Sequence, residues 1–523
     1  MHGTSLGTVL RTFLTESSSN ARRSVSSMLG RTDTEVKPSV LGEKSHRQSF
    51  NCTVTYACRK KFLFYYAQEH VDFRFPELRS LCGLLGIPLN EAQMTNHECP
   101  FLLLDMPDEN AARTLVHRSV LMKSCYECWI HSTSLKDLLE HLSQLPASFM
   151  STYSAEGSSF RLRVNAYGKK LTCDDIRNRI EALRALPLDT RVDLNNPTHS
   201  FHYVEDYGNE NETVRPFPEQ VFFGRWIADS SRDGAHKLRL DERYFIGTTS
   251  MDPLLALVMA NQAQVSNGSL VYDPFVGTGS LLVAASYFGG YSLGADIDRA
   301  LLHGRGKSTR AKNTWRRRDE SVLANFTQYD MVDHYVGIVV ADATKNVIRE
   351  DMRFDAIISD PPYGVREPIA RTGKVLSGEL SGDLSEVDGH MQIGRCALND
   401  LITTLVSFAS KNLGIGGRLV YWLPVLQDEY NETAVPQHDC FNVISNSEQK
   451  LAGSTSRRLI TMEKIKEWKP EYQVTFAENI YTNTFRERYF TAKEKEKKRK
   501  PNPISRRVKP NSAECQQRCV NNK

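Results

Sequence analysis

Between residues 250 and 465 one pattern recurs: a short, near-continuous apolar run closed by Asp or a turn, then a helix-like segment. The runs are LVYD (270–273), SLGADI (292–297), GIVVAD (337–342), DAIISD (355–360) and RLVYWL (418–423). Strands buried on both faces of a parallel sheet read this way, because neither face alternates toward water. The pattern predicts a doubly wound α/β domain.

Upstream the elements are smaller and mixed. FLFYYAQ (62–68) has the apolar density of a buried strand, and Pro100 to Leu104 reads as another. FRLRVNAYG (160–168) alternates as a half-buried strand does. In PELRSLCGLLG (76–86), Leu78, Leu81, Leu84 and Leu85 fall at helical spacing and Gly86 is a stop. SLKDLLEHLSQL (134–145) is amphipathic, with Ser134 a candidate cap. CDDIRNRIEALRAL (173–186) predicts a helix that Pro187 closes. Alternation on this scale implies α+β packing in one or two compact modules.

Composition adds boundaries. At 523 residues the chain is too long for one ordinary domain, and its 40% apolar and 24% charged residues are globular in kind. The net charge of +4 hides an uneven distribution. Residues 1–60 carry +5 and residues 491–523 carry +8, which leaves 61–490 at −9. Bulk charge therefore gives the folded part no mark of a nucleic-acid binder, and any RNA contact needs local basic surface. Residues 1–57 are rich in Ser and Arg without periodicity and read as a disordered extension. They also suit a transit peptide, a reading weakened by Glu16, Asp33, Glu35 and Glu43. A stretch rich in Gly, Asp and Arg (229–241) reads as a linker. The basic run from Lys493 opens a tail expected to be disordered over 491–523. The longest apolar run, Leu254 to Ala260, falls far short of the ~18–20 residues that cross a bilayer. With no secretory segment at the start, eleven scattered cysteines read as reduced thiols of a cytosolic or nuclear protein, and the cytoplasm is the expected location.

Four short segments carry candidate chemistry. DPFVGTGS (273–280) lies between a strand and a helix, where Gly277 and Gly279 permit a tight turn under a ligand. Alone it is weak evidence, since a plain structural turn is the alternative. GADID (294–298) places Asp296 23 residues after Asp273, where an acid accepts hydrogen bonds from ribose hydroxyls. Together they indicate a nucleoside-containing cofactor. VVADA (339–343) ends in Asp342, suited to an adenine amine and equally to a turn. DPPYG (360–364) is the most specific signal. Pro361 and Pro362 fix the chain, so the Asp360 carboxylate and the Pro361 carbonyl become acceptors beside the Tyr363 ring. Two acceptors and a stacking face suit a planar amine whose lone pair must be drawn out of conjugation.

DPFVGTGS, GADID and DPPYG, in this order, resemble the class I S-adenosylmethionine-dependent amino-methyltransferases. The resemblance implies that Asp273, Gly277 and Gly279 cradle the methionine end of the cofactor, Asp296 the ribose and Asp342 the adenine. Asp360, Pro361, Pro362 and Tyr363 would hold the target amine. YFIGTTSMDPLLALVMAN (244–261) resembles the segment that closes over the cofactor in such enzymes.

FRLRVNAYGKK (160–170), RIEALRALPLDTRVDLNNPTHSFHYVEDYG (179–208) and VFFGRWIADSSR (221–232) resemble a THUMP domain, an RNA-binding module. AQEHVDFRFPELRSL (67–81) and HGRGKSTRAKNTWRRRDESVLANFTQY (303–329) resemble the eukaryotic tRNA guanosine N2-methyltransferases acting at position 10. The expected architecture is a doubly wound, Rossmann-like class I methyltransferase domain preceded by an α+β N-terminal and THUMP region. Its expected divisions are a disordered extension (1–57), an N-terminal α+β domain (58–115), a THUMP-like domain (116–228), a methyltransferase domain (241–490) and the basic tail (491–523). The methyltransferase domain is expected to fold without residues 1–215. The expected reaction is methyl transfer from S-adenosylmethionine to the exocyclic amine of guanosine 10 in tRNA. The alternatives are a non-catalytic RNA-binding subunit, or an amino-methyltransferase acting on ribosomal RNA or DNA.

Between Arg305 and Arg318 lie seven basic residues around Trp315, either a solvated loop or a set of phosphate contacts. Arg305, Lys307, Arg310 and Arg366 are the candidate RNA contacts. Cys125 and Cys128 form a CxxC without a second pair, which reads as two packed thiols sooner than as a zinc site. The family also implies a small zinc-binding activator subunit; the short apolar runs leave no membrane contact expected. GIVVAD is the expected sheet edge, apolar on both faces and free of blunting charges, so a partner strand or a loop of the chain must cover it.

Overall fold

The computed structural model describes residues 60–186, 190–208, 215–305, 320–345, 347–364, 370–372, 393–395, 398–476 and 485–499. The expected 1–57 extension and residues 500–523 of the tail lie outside them.

Two seven-stranded sheets organise these residues. The first comprises β1 (Lys60–Tyr66), β2 (Phe101–Met106), β3 (Met122–Ser132), β4 (Ser159–Tyr167), β5 (Arg191–Val192), β6 (His199–Asp206) and β7 (Gln220–Asp229). Their order across the sheet is β2-β1-β3-β7-β6-β4-β5. β1 pairs with β2 on one side and β3 on the other, so the division expected at 115/116 crosses one continuous sheet. The helices of this half are α1 (Arg74–Leu85), α2 (Glu109–Arg118), α3 (Leu135–Ser143) and α4 (Cys173–Ala182). Their ends match the local chemistry. Gly86 caps α1 in the left-handed region at φ 65°. Ser134 Oγ accepts from Asp137 N at 3.1 Å to start α3. Thr172 and Asp175 form a capping box on α4.

The second sheet holds β8 (Leu270–Asp273), β9 (Tyr291–Asp296), β10 (Tyr335–Val340) and β11 (Phe354–Ser359). After a short ladder of β12 (Ala370–Thr372) and β13 (Ile393–Arg395) come β14 (Leu413–Leu426), β15 (Phe441–Lys450) and β16 (Thr455–Lys464). The order is β10-β9-β8-β11-β14-β16-β15. β10, β9, β8, β11 and β14 run parallel, and β16 lies antiparallel between β14 and β15. All five predicted apolar runs are strands of this sheet, and GIVVAD is its edge. The helices are α5 (Pro253–Gln262), α6 (Ser280–Tyr287), α7 (Val322–Gln328), α8 (Leu398–Asn412) and α9 (Phe485–Arg499).

Three further expectations change. The stretch 229–241 is not a free linker: it turns through a short helix at Asp233–Lys237, with Gly234 and Leu238 buried. A Cβ on Gly234 would come within 2.8 Å of the Tyr287 hydroxyl, so this chain is held against α6. The tail expected to be disordered from 491 is helical to Arg499. Arg488 on that helix ion-pairs with Asp428 at 2.8 Å and Glu429 at 2.7 Å, which anchors it.

The third change is the largest. The two halves share one hydrophobic core: Leu78 and Leu81 of α1 belong to the same buried cluster as Leu255, Leu257 and Val258 of α5. Every residue of α5 is buried, because the helix lies between its own sheet and the N-terminal half. Polar bonds cross the same seam. Arg418 Nη1 donates to Ser80 Oγ at 3.0 Å, and Arg118 Nη2 to Val265 O at 2.6 Å. A methyltransferase domain stripped of residues 1–215 would expose this face. Each re-exposed leucine costs about 1.5–3 kcal/mol, against a total of about 5–15 kcal/mol for a domain.

Candidate active site

The site forms where β8, β9 and β11 end side by side. Asp273 closes β8 and is 1% exposed. Its Oδ1 accepts from Phe275 N at 3.0 Å and from Ser359 Oγ at 3.4 Å. Its buried Oδ2 has no partner among the described residues. Burial above all, then the nearby Asp296 and Asp360 carboxylates, pushes Asp273 well above the usual carboxylate range. A buried acceptor this poorly satisfied fits a cationic ligand group.

Gly277 follows with φ 51°, and an added Cβ there would meet nothing within 4 Å. Its N–H donates to Asp296 Oδ2 at 2.8 Å. Asp296 Oδ1 accepts from Asp298 N at 2.9 Å. The ribose candidate thus also ties the glycine loop to the end of β9. Gly279 has φ 79°, and its Cβ would come within 2.5 Å of Val322 Cγ1, so α7 approaches this turn closely. The orphaned carboxylate oxygen and the open side of Gly277 together fit the cofactor that the motifs imply. Asp342 is buried, but its Oδ1 accepts from Thr344 N at 2.9 Å and Thr344 Oγ1 at 2.7 Å. That oxygen serves a turn.

The 244–261 segment docks on the loop through a residue that no motif marks. Asn325 of α7 is fully buried. It accepts from Phe245 N at 2.8 Å and donates to Phe245 O at 2.8 Å and Thr278 O at 3.2 Å. Ser250 Oγ and Thr278 Oγ1 lie 2.6 Å apart. The closing segment and the glycine loop are therefore one hydrogen-bonded unit.

Asp360 follows β11 directly, with Pro361 buried and Pro362 and Tyr363 half-buried. Tyr363 OH donates to Asp360 Oδ1. Arg457 on β16 lies 3.4 Å from Asp360 Oδ2 and donates to Tyr363 OH at 3.1 Å. Burial raises Asp360, while the Arg457 guanidinium and the Tyr363 hydroxyl hold it down. Phe485, at the start of α9, meets the Tyr363 ring edge-on at 6.5 Å. Sequence reading missed Arg457, which sits 97 residues beyond Asp360 with no local signature.

Of the candidate RNA contacts, Arg305 is exposed after the helical turn Arg299–Leu302. Lys307, Arg310 and Arg366 lie outside the described residues. Cys125 and Cys128 both sit on β3, and burial pushes the Cys128 thiol up to about 12. A basic cleft appears where charge arithmetic gave no hint of one. On the first sheet, Lys123, Arg161, Arg163, Lys169 and Lys170 line a cleft of about 660 Å³. Among the described residues Asp229 is the only acid lining it, and Tyr65, Tyr126 and Trp226 bring aromatic rings. Burial, then Arg163 and Arg161, depress His202 in its wall to about 3, so it is neutral.

Residues 60–232 match the family model described as the Tmrp11 THUMP N-terminal domain, and residues 241–393 the RMKL-like methyltransferase domain. The chain is 41% identical over 438 residues to the Rattus norvegicus protein named tRNA (guanine(10)-N(2))-methyltransferase TRMT11, covering 82% of this chain and 94% of that one. The Homo sapiens protein of the same name is 40% identical over 452 residues, covering 85% and 96%. The Saccharomyces cerevisiae tRNA (guanine(10)-N(2))-methyltransferase is 32% identical over 418 residues, covering 77% and 92%. With the motif acids converging at the strand ends and this similarity running through both halves, the chain belongs to the tRNA (guanine(10)-N(2))-methyltransferase family.

Proposed function

We propose that this chain is the catalytic subunit of an enzyme that methylates the exocyclic amine of guanosine 10 in tRNA. One observation carries the reading: the Asp360–Tyr363 acceptor set lies beside a cradle whose buried Asp273 oxygen lacks a partner. When bound, S-adenosylmethionine supplies an electrophilic methyl group on a sulfonium. Asp273 would take its ammonium, the turn of Gly277 and Gly279 would cradle its methionine end with Gly277 presenting the open side, Asp296 would hold the ribose, and Asp342 would lie toward the adenine.

The remaining work falls to the chain itself. The Asp360 carboxylate and the Pro361 carbonyl accept the two amine hydrogens, which turns the nitrogen lone pair away from the guanine ring. Pro362 keeps that turn rigid, and Tyr363 stacks on the extruded base, offsetting part of its unstacking. The attacking nitrogen becomes strongly acidic as its new bond forms, so its proton can leave to Asp360 or to water. Catalysis then comes from positioning and polarisation.

The basic, aromatic-lined cleft of the first sheet supports a role in holding tRNA, since it combines phosphate partners with stacking faces. Arg305, Lys307, Arg310 and Arg366 remain candidate contacts nearer the motifs. The partner we infer is a small zinc-binding activator laid along β10, whose Val336, Val339 and Val340 are 43%, 43% and 40% exposed. No helix among the described residues is long and apolar enough to cross a membrane. Six free thiols among them suit a reducing, cytoplasmic setting.

Nucleoside mass spectrometry of tRNA from cells with and without the protein tests the reading. Loss of N2-methylguanosine at position 10 is the expected result. Unchanged tRNA, with loss of a methylated base from ribosomal RNA or DNA, would reassign the substrate.

A further inference from the structure

Arg457 is held more firmly than an ion pair requires. Its side chain is 12% exposed, and its guanidinium lies 3.9 Å from the centre of the Trp422 ring. Nε donates to Gln449 Oε1 at 2.7 Å, and Nη2 meets Met251 Sδ at 3.5 Å. Those contacts leave Nη1 aimed at the DPPYG turn, where it reaches Tyr363 OH at 3.1 Å and Asp360 Oδ2 at 3.4 Å. Tyr363 OH donates to the other carboxylate oxygen. Each oxygen of Asp360 therefore has its own donor, one from its own turn and one from β16.

We propose that Arg457 is a positioning residue for methyl transfer, which holds the Asp360 carboxylate ionised and oriented to accept the target amine. The inference rests on the role given to Asp360 above. A protonated Asp360 would point an O–H at the N–H groups it should receive, donor against donor. Burial favours that unproductive form.

The groups around the pair decide which form prevails. Asp273 on β8 adds negative charge near Asp360. Asp252, the cap of α5, faces Arg457 and favours its charge. His70, from the N-terminal half, also faces Arg457, and burial lowers its pKa, so it adds no cation at neutral pH. Tyr363 is raised by burial and stays a neutral donor. The cation that opposes the burial of Asp360 is Arg457.

The test uses the full-length chain prepared with the proposed activator, and follows single-turnover methyl transfer to tRNA across pH at saturating cofactor. In Arg457→Gln the acid limb of the rate profile should move up by about one to three pH units, the size of shift a neighbouring opposite charge produces. Activity should recover in part at high pH, and cofactor affinity should stay unchanged. Arg457→Lys should restore most of the wild-type profile. Gln449→Ala, which frees Nε, should move the limb the same way by less. If Arg457→Gln does not fold, an unmoved limb in Gln449→Ala overturns the proposal. Equal loss at every pH, an unchanged profile, or a Lys variant no better than Gln overturns it as well. An active wild type with unmoved variants would sink the positioning role alone. A wild type that methylates no tRNA at any pH would sink the function reading too.

Discussion

Asn261 Nδ2 donates to Glu77 Oε1 at 2.7 Å, joining two helices whose residues stand 184 apart in the chain. Both are buried, at 0% and 1% exposure. Glu77 also accepts from Ser119 Oγ at 2.7 Å, Val120 N at 3.0 Å and Leu121 N at 3.2 Å. One carboxylate thus binds α1, the chain after α2, and α5. The THUMP half and the methyltransferase half meet at this residue.

Glu77→Ala should destabilise both halves at once. It strands several buried donors, each costing about 1–3 kcal/mol when unpaired. Calorimetry should show one transition at a lower temperature, with no surviving high-temperature component. A chain starting at residue 216 should be insoluble for the related reason that α5 loses its cover. Two independent transitions, or a soluble truncated domain, would show that the halves fold separately.

This seam was hard to read in advance for a physical reason. Leu254 to Ala260 is apolar all round, which marks a buried helix without saying what buries it. The motif residues were legible because the turns that carry them are contiguous: DPFVGTGS, GADID and DPPYG each close a strand of the predicted kind. Ser134 and Gly86 were legible because caps act within one turn. Arg457 and Asn325 were not, since each matters through partners 97 and 80 residues away. The basic cleft escaped charge counting because it gathers Lys123 from β3 and Arg161 and Arg163 from β4 within an acidic fold.

Asp360→Ala should abolish methyl transfer and leave tRNA affinity within a few-fold of wild type. In the proposed role the carboxylate would touch the tRNA only at the amine of the extruded base, whereas phosphate contacts dominate affinity. Rapid-quench transfer assays and filter binding at fixed salt separate the two quantities. Retention of a tenth of wild-type turnover would remove Asp360 from the reaction.

The role proposed for Asp273 would tie cofactor binding to pH. Its raised pKa means the unliganded fold prefers it protonated, so that share of stability is full at low pH. It is lost as pH rises above the ordinary carboxylate range and through the raised value. Binding of a cofactor ammonium selects the ionised form, so the thermal shift caused by S-adenosylmethionine should grow over that same rise. Asp273→Asn should be at least as stable as wild type when unliganded at neutral pH, and its thermal shift should be small and flat with pH. A variant that kept the wild-type, pH-dependent shift would place the ammonium elsewhere.

The last prediction concerns the edge of the second sheet. β10 pairs with β9 on one side only, from Ser292 to Asp296 with a register shift between Tyr335 and Gly337, and its other side pairs with no strand among the described residues. It exposes Val336, Val339 and Val340, and none of its residues is a lysine, a proline or an acid that would discourage pairing. An added strand would take up the free backbone groups and cover the valines. The chain made alone should therefore aggregate, and co-expression with the proposed activator should yield a soluble heterodimer. Val340→Asp puts a charge in that seam while Asp296, at the facing position of β9, still reaches Gly277. The variant should lose the partner in size-exclusion chromatography, yet bind labelled cofactor like wild type if it is kept soluble. A lone chain that is soluble, monomeric and fully active on tRNA would count decisively against a partner at β10. A variant that kept the partner would move the interface to another face.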